Sequence, residues 1–123
     1  MNGFKLGGSN KQCPTPHVVT NCIAFNNGAT GFTDNGNGGA VTLTNCTSVN
    51  NGMYNAAKAN YMCYRTSKDA AYTNLLSFAE KKTAATDQFL GTVSHTLYHY
   101  KGVGTYWVNN WLCTDGAKTK YSG

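Results

Sequence analysis

Asn21-Cys22-Ile23-Ala24-Phe25-Asn26-Asn27-Gly28 returns 24 residues later as Asn45-Cys46-Thr47-Ser48-Val49-Asn50-Asn51-Gly52. A fainter copy, Asn74-Leu75-Leu76-Ser77-Phe78, follows after a further 29 residues and keeps the Asn, the small residue and the apolar residue in place. Self-similarity at such a period marks a stacked architecture in which each unit buries its apolar face against its neighbours. Within a unit the apolar residues alternate or cluster briefly, as in Val18-Val19, Ile23 with Phe25, and Val41 with Leu43. That is the spacing of short strands. Gly28, the run Asn35-Gly36-Asn37-Gly38-Gly39 and Asn50-Asn51-Gly52 supply residues that accept positive φ in tight turns.

Each unit therefore reads as two or three short strands joined by turns, and the expected fold is all-β, a right-handed parallel β-helix. About five coils would stack to roughly 24 Å at about 4.8 Å per layer. Asn21, Asn45 and Asn74 are expected to stack as an inward ladder that satisfies turn backbone groups. A leucine-rich repeat also uses an Asn ladder but needs several leucines per coil. This chain has seven leucines in all, none at a matching interval.

With 123 residues the chain reads as one domain, 1–123. Charged residues make up 12%, and Gly, Asn and Thr are abundant, which suits a turn-rich β structure and argues against disorder. No apolar stretch has the length of a membrane span, and Met1–Gly8 lacks the charged and apolar regions of a signal peptide. The net charge of +5 suits an acidic partner, yet Lys81-Lys82 is the only adjacent basic pair, which argues against a nucleic-acid stripe. Cysteines at 13, 22, 46, 63 and 113 form no Cys-x-x-Cys pair, so a zinc site is poorly supported. Cys22 and Cys46 hold equivalent repeat positions and read as small buried hydrophobes, with a disulfide as the alternative.

Gly3-Phe4-Lys5-Leu6-Gly7-Gly8 is the second notable segment, since Gly31-Phe32-Thr33-Asp34-Asn35 repeats its Gly-Phe opening 28 residues on. Both would open the same strand of consecutive coils, with Phe4 and Phe32 stacked inside and Lys5 and Thr33 outside by strand alternation. Together with His17-Val18-Val19-Thr20-Asn21, Ala24–Gly28 and Leu43–Gly52, these segments resemble the C-terminal part of family 9 polysaccharide lyases. The resemblance is close from Asn2 to about Asn55 and looser beyond.

That resemblance implies a secreted, extracellular pectate lyase built on a right-handed parallel β-helix, of which this chain is a fragment. It implies polygalacturonate (pectin) as the acidic polysaccharide partner, a monomer, and neither nucleic acid nor membrane as partner. It also implies Ca²⁺ as cofactor and Lys5 as the base, which takes the C5 proton α to the uronate carboxylate before the C4–O bond breaks. A free lysine titrates near pH 10.4, so such a base needs neighbouring positive charge or desolvation to work. In the family Ca²⁺ on clustered aspartates provides that setting and acidifies the C5 proton. Asp34, Asp69, Glu80, Asp87 and Asp115 are scattered singly, so no metal ligands are assigned here and the chain is expected to be inactive alone. The alternative function is a non-catalytic β-helix that binds polysaccharide or serves as an adhesin.

Other candidates are secondary. Asp34 and Asn35, one coil after Lys5, are candidate substrate contacts, with an Asp-Asn-Gly turn as the competing reading. His95 and His99 have metal-compatible spacing without a third ligand. Asn45-Cys46-Thr47 is a glycosylation sequon that an inward Asn45 would block. Tyr54, Tyr61, Tyr64 and Tyr72 with Lys58, Arg65 and Lys68 are expected either to line a sugar groove or to cover an edge. Residues 69–83 carry both a helical spacing and the strand repeat, and the repeat is taken as decisive. Around Trp107 and Trp111 a last coil of strand and turn is expected.

Overall fold

The computed structural model describes residues 1–8, 14–80, 87–95, 97–100, 106–108, 111–114 and 117–120, with side chains described up to His95. No helix occurs among these residues, and none is long and apolar enough to cross a membrane. Strands β1 (Phe4–Lys5), β4 (Phe32–Thr33), β7 (Tyr61–Cys63) and β10 (Gln88–Phe89) pair in parallel as the first sheet. The second sheet joins β2 (Val18–Thr20), β5 (Thr42–Thr44), β8 (Ala71–Thr73) and β11 (Thr92–Ser94). The third joins β3 (Ile23–Phe25), β6 (Thr47–Val49), β9 (Leu76–Ala79) and β12 (Leu97–Tyr100). Each coil contributes one strand to each sheet, the winding of a parallel β-helix.

Four such coils occur among the described residues, one fewer than the repeat suggested. The segment expected to form the last coil instead lies in a meander of β13 (Tyr106–Val108), β14 (Trp111–Thr114) and β15 (Ala117–Lys120), paired antiparallel. Strand and turn were legible there, but a short apolar run does not reveal its pairing direction. Of residues 69–83, those described, 69–80, follow the repeat and not the helical spacing, since β8 and β9 lie within Ala71–Ala79; 81–83 lie outside the described residues.

The interior is built from columns of like residues. Phe4 stacks on Phe32 with centroids 4.6 Å apart and 2° between planes, and Phe32 stacks on Tyr61 at 5.2 Å. Phe89 completes the column, tilted against Tyr61 and Tyr72. In the second sheet Val19, Leu43, Tyr72 and Val93 follow one another in register. In the third, Ala24, Ser48 and Ser77 keep the inner surface small, and all three are buried. Phe32, Leu43, Tyr61 and Tyr72 are wholly buried, so the coils pack without a hollow centre.

The asparagine ladders separate into two kinds. Asn21, Asn45 and Asn74 turn the chain between the second and third sheets with φ of 57°, 54° and 53°, a left-handed conformation in which Asn costs less than other side chains. They are exposed, contrary to the inward ladder expected, because a one-residue corner in that conformation directs the side chain out. Asn74 Nδ2 donates to Asn45 Oδ1 at 3.1 Å on the surface. Burial of Asn45 is thus no barrier to the sequon. His95, at φ 52°, holds the same corner in the fourth coil.

The inner ladder uses Asn27, Asn51 and Asn60. Asn51 Oδ1 accepts from Asn27 N and Nδ2, and Asn51 Nδ2 donates to Ala24 O, Ser48 Oγ and Asn60 Oδ1. Asn60 Nδ2 continues to Ser77 Oγ and Phe78 O, and Ser77 Oγ donates to Asp87 Oδ2. No buried side-chain polar atom among the described residues lacks a partner, as a low-dielectric interior demands.

Candidate functional site

Lys5 lies on the edge coil of the first sheet, outward beside an inward Phe4, and is exposed. Its backbone is fixed from both sides: Phe4 N donates to Gly31 O at 2.7 Å and Leu6 N to Thr33 O at 2.9 Å. Gly7 permits this approach, since a Cβ there would fall 2.3 Å from Asp34 O. The glycine after Lys5 thus lets the first coil sit directly on the second. In register with Lys5 stand Thr33, Met62 and Gln88, one per coil; unlike Lys5, Thr33 is buried, contrary to the outward position expected.

Asp34 departs from the expectation of a substrate contact. Its side chain is 0% exposed and turns inward. Oδ1 accepts from Gly36 N at 2.9 Å and from Arg65 Nε at 3.2 Å, while Oδ2 accepts from Arg65 N at 2.6 Å. This is the Asp-Asn-Gly turn reading, reinforced by a cation from the next coil. Asn35 is half-buried with φ 46°, and its Nδ2 donates to Gly7 O at 2.9 Å. It therefore braces the backbone just beyond Lys5 on the outer side of the sheet.

The tyrosine cluster divides. Tyr61 and Tyr72 are core residues whose hydroxyls reach backbone carbonyls, Tyr61 to Cys46 O and Leu76 O and Tyr72 to Cys63 O and Leu90 O. Tyr54 and Tyr64 are exposed. Tyr64 follows β7 directly, and the Arg65 guanidinium lies 4.9 Å from its ring centroid. Tyr54 joins Asn26, Asn50, Asn55 and Glu80 around an open cavity of about 510 Å³ at the corner between the third and first sheets.

Cys22 and Cys46 make matching contacts, each Sγ donating to the carbonyl two residues before it, Thr20 O and Thr44 O. Both are free thiols, as is buried Cys63. Burial raises the pKa of Cys46 and of Cys63 above the ordinary 9.0, and burial likewise raises that of Tyr72 above 10.0. These are inert core groups. His99 lies on β12, and its side chain is outside the described residues, as are those of Trp107 and Trp111.

Calcium takes several carboxylate or carbonyl oxygens. Among the described residues no three His, Cys, Asp or Glu side chains converge, Asp34 is committed to Arg65, and Asp87 accepts from Tyr61 N and Ser77. The described carboxylates do not fit the ion.

Three parallel sheets wound round stacked aromatic and amide columns, with a lysine on the outer face of one, define a parallel β-helix. Residues 1–82 match the family described as Pel9A-like, right handed beta helix region, and the chain belongs to that family. It is similar to "Pectate lyase L" of Paenibacillus polymyxa, 45% identical over 92 residues, covering 71% of this chain and 18% of that protein. It is also similar to "Pectate lyase PEL9" of Emericella nidulans, 50% identical over 52 residues, covering 41% of this chain and 13% of the relative. "Pectate disaccharide-lyase" of Dickeya chrysanthemi is 32% identical over 97 residues, covering 79% and 13%. The chain thus spans less than a fifth of the length of these curated relatives. No solved structure matches it.

Arg65 is the functional candidate that residue-by-residue reading undervalued. It stood in the sequence beside Tyr64, but its link to Asp34 spans 31 residues, and no local pattern announces such a pairing.

Proposed function

We propose that this chain is the base-bearing part of a secreted, calcium-dependent lyase that cleaves polygalacturonate by β-elimination. The observation that carries the reading is the exposed Lys5 in a Gly-Phe-Lys-Leu-Gly-Gly strand, within a chain similar to proteins named pectate lyase. As a free amine, Lys5 Nζ would take the proton from C5 of a galacturonate unit. The electron pair then forms the C4–C5 double bond while C4–O breaks and the departing oxygen gains a proton. The flanking backbone, held by Gly31 O and Thr33 O, supplies the fixed direction that proton transfer needs.

The metal belongs to residues other than those described, so no step here passes through it, and the chain alone is proposed to bind substrate without turning it over. The test is absorbance of unsaturated uronides with polygalacturonate and Ca²⁺. The chain alone should give no rise, and a robust rise would overturn the proposal of inactivity. The second reading, a non-catalytic polysaccharide-binding β-helix, is favoured by the lack of converging acidic side chains among the described residues. Lys5→Ala separates the two: loss of turnover in a lyase that contains this region supports the first, and unchanged turnover the second.

A further inference from the structure

Among the described residues one further cation has its orientation fixed by the fold: Arg65, in the corner that follows β7 of the first sheet. Arg65 is joined to buried Asp34 through Nε at 3.2 Å and through its own backbone N at 2.6 Å. The Asp34 side chain is 0% exposed and the Arg65 side chain 39%. The guanidinium therefore has a buried anchor on one edge and solvent on the other. No acceptor among the described residues meets its two terminal nitrogens, and one face rests 4.9 Å from the centroid of the exposed Tyr64 ring. A planar fork with two parallel N–H groups unengaged among the described residues is the partner a carboxylate takes bidentately, and its side-chain freedom has already been reduced by the Asp34 anchor.

The location gives the ligand its class. Lys5 pairs with Thr33 and Thr33 with Met62, so Met62 lies two coils, about 10 Å, along the axis from Lys5. Tyr64 and Arg65 follow β7 directly, at the margin where the chain leaves the first sheet. A polyanion laid along the coils with one unit at Lys5 passes this margin.

We propose that Tyr64 and Arg65 form a second uronate subsite, in which Arg65 binds the carboxylate of a galacturonate unit remote from the one at Lys5 and Tyr64 packs against its ring. The inference rests on the polygalacturonate reading. Asp34 is on this account a positioning residue: it touches no sugar and holds the guanidinium at the surface. Methyl esterification of that unit removes the charge Arg65 requires, so the subsite selects for unesterified pectate.

The experiment is titration of the full chain with tetragalacturonate, its fully methyl-esterified counterpart and neutral galactotetraose, followed by NMR and calorimetry. The acidic oligomer should bind, shift the Tyr64 ring and Arg65 side-chain signals, and weaken with salt, and the other two should bind at least tenfold more weakly. Arg65→Gln should cost about tenfold in affinity for the acid oligomer and nothing for the ester, while Arg65→Lys should recover part of the loss. Since Arg65→Gln strips the partner from buried Asp34, circular dichroism checks its fold. If that variant unfolds, the wild-type Tyr64 and Arg65 signals decide. Binding that is lost in Lys5→Ala but leaves those signals unmoved, or is unaffected in folded Arg65→Gln, overturns the subsite and spares the broader reading. Absence of any binding by wild type overturns both.

Discussion

Phe4 and Phe32 lie face to face, 4.6 Å between centroids and 2° from parallel, and Lys5, the residue after Phe4, is exposed. Lys5 is therefore aimed outward by the ring beneath its neighbour. Phe32 is wholly buried between Phe4 and Tyr61, so Phe32→Ala should lose about 3–5 kcal/mol in urea denaturation. Phe4→Ala, on a half-buried edge ring, should lose less. Equal losses would mean that the column is not the support described.

Gly31 sits where three coils converge. A Cβ there would lie 2.1 Å from Ser48 Oγ and 2.7 Å from both Asn51 Nδ2 and Asn60 O. Gly31→Ala should cost about 3 kcal/mol or more, since much of what must yield is backbone and hydrogen-bonded amide. A melting temperature within 2–3 °C of wild type, roughly the shift for a cost under 1 kcal/mol, would contradict this.

Asn51 makes contacts above, below and within its own coil. Asn51→Ala should orphan Asn27 N and remove the donor to Ala24 O, at a cost of about 3 kcal/mol. Asn45→Ala, on the exposed ladder, should cost about 1 kcal/mol, chiefly through the left-handed backbone that Ala tolerates less well. Paired denaturation curves check the order.

The buried thiols predict an alkaline limit. Burial raises Cys46 and Cys63 above 9.0 in the folded chain. Below that pH both states hold the protons and the full contribution is present. Above it the unfolded thiols ionise first, so stability falls as pH climbs toward the folded values. The unfolding free energy from denaturation curves should hold steady to about pH 8 and then drop, by up to about 1.4 kcal/mol per pH unit per thiol. Cys63→Ala should flatten the slope, and an unchanged slope would contradict the assignment.

Lys5 makes no ion pair among the described residues, so Lys5→Ala should leave stability within about 0.5 kcal/mol of wild type. Affinity for oligogalacturonate should nonetheless drop about tenfold in calorimetry. A variant that loses stability and affinity together would make Lys5 structural.

The strands, the stacked coils and the Phe4 and Phe32 stack were legible because they follow from alternation and from a repeat that returns in register, whereas the repeat left two or three strands per coil open. The direction of the Asn45 side chain was not, since an Asn-containing corner reads alike whether its amide faces in or out. Asn51 and Asn27 stood in the quoted repeat, but the amide chain through Asn60 needs a residue from a corner of different length. Asp34 misled for a related reason: a lone carboxylate in a Gly-rich turn resembles an exposed contact until its distant arginine is known.

Val18 to Ile23, Thr42 to Thr47, Ala71 to Leu76 and Thr92 to Leu97 are each five positions apart, while the intervals on either side of the first sheet are not constant. A corner made by one left-handed residue has no room for insertion, so the second and third sheets behave as a single folded plate. Evolution is left with the two corners that flank the first sheet. Loops can lengthen there, beside Lys5 and beside Tyr54, and alter the walls around a bound polymer without shifting the register of any strand. The molecule thus separates the part that must stay constant, turned at Asn21, Asn45 and Asn74, from the part free to adapt.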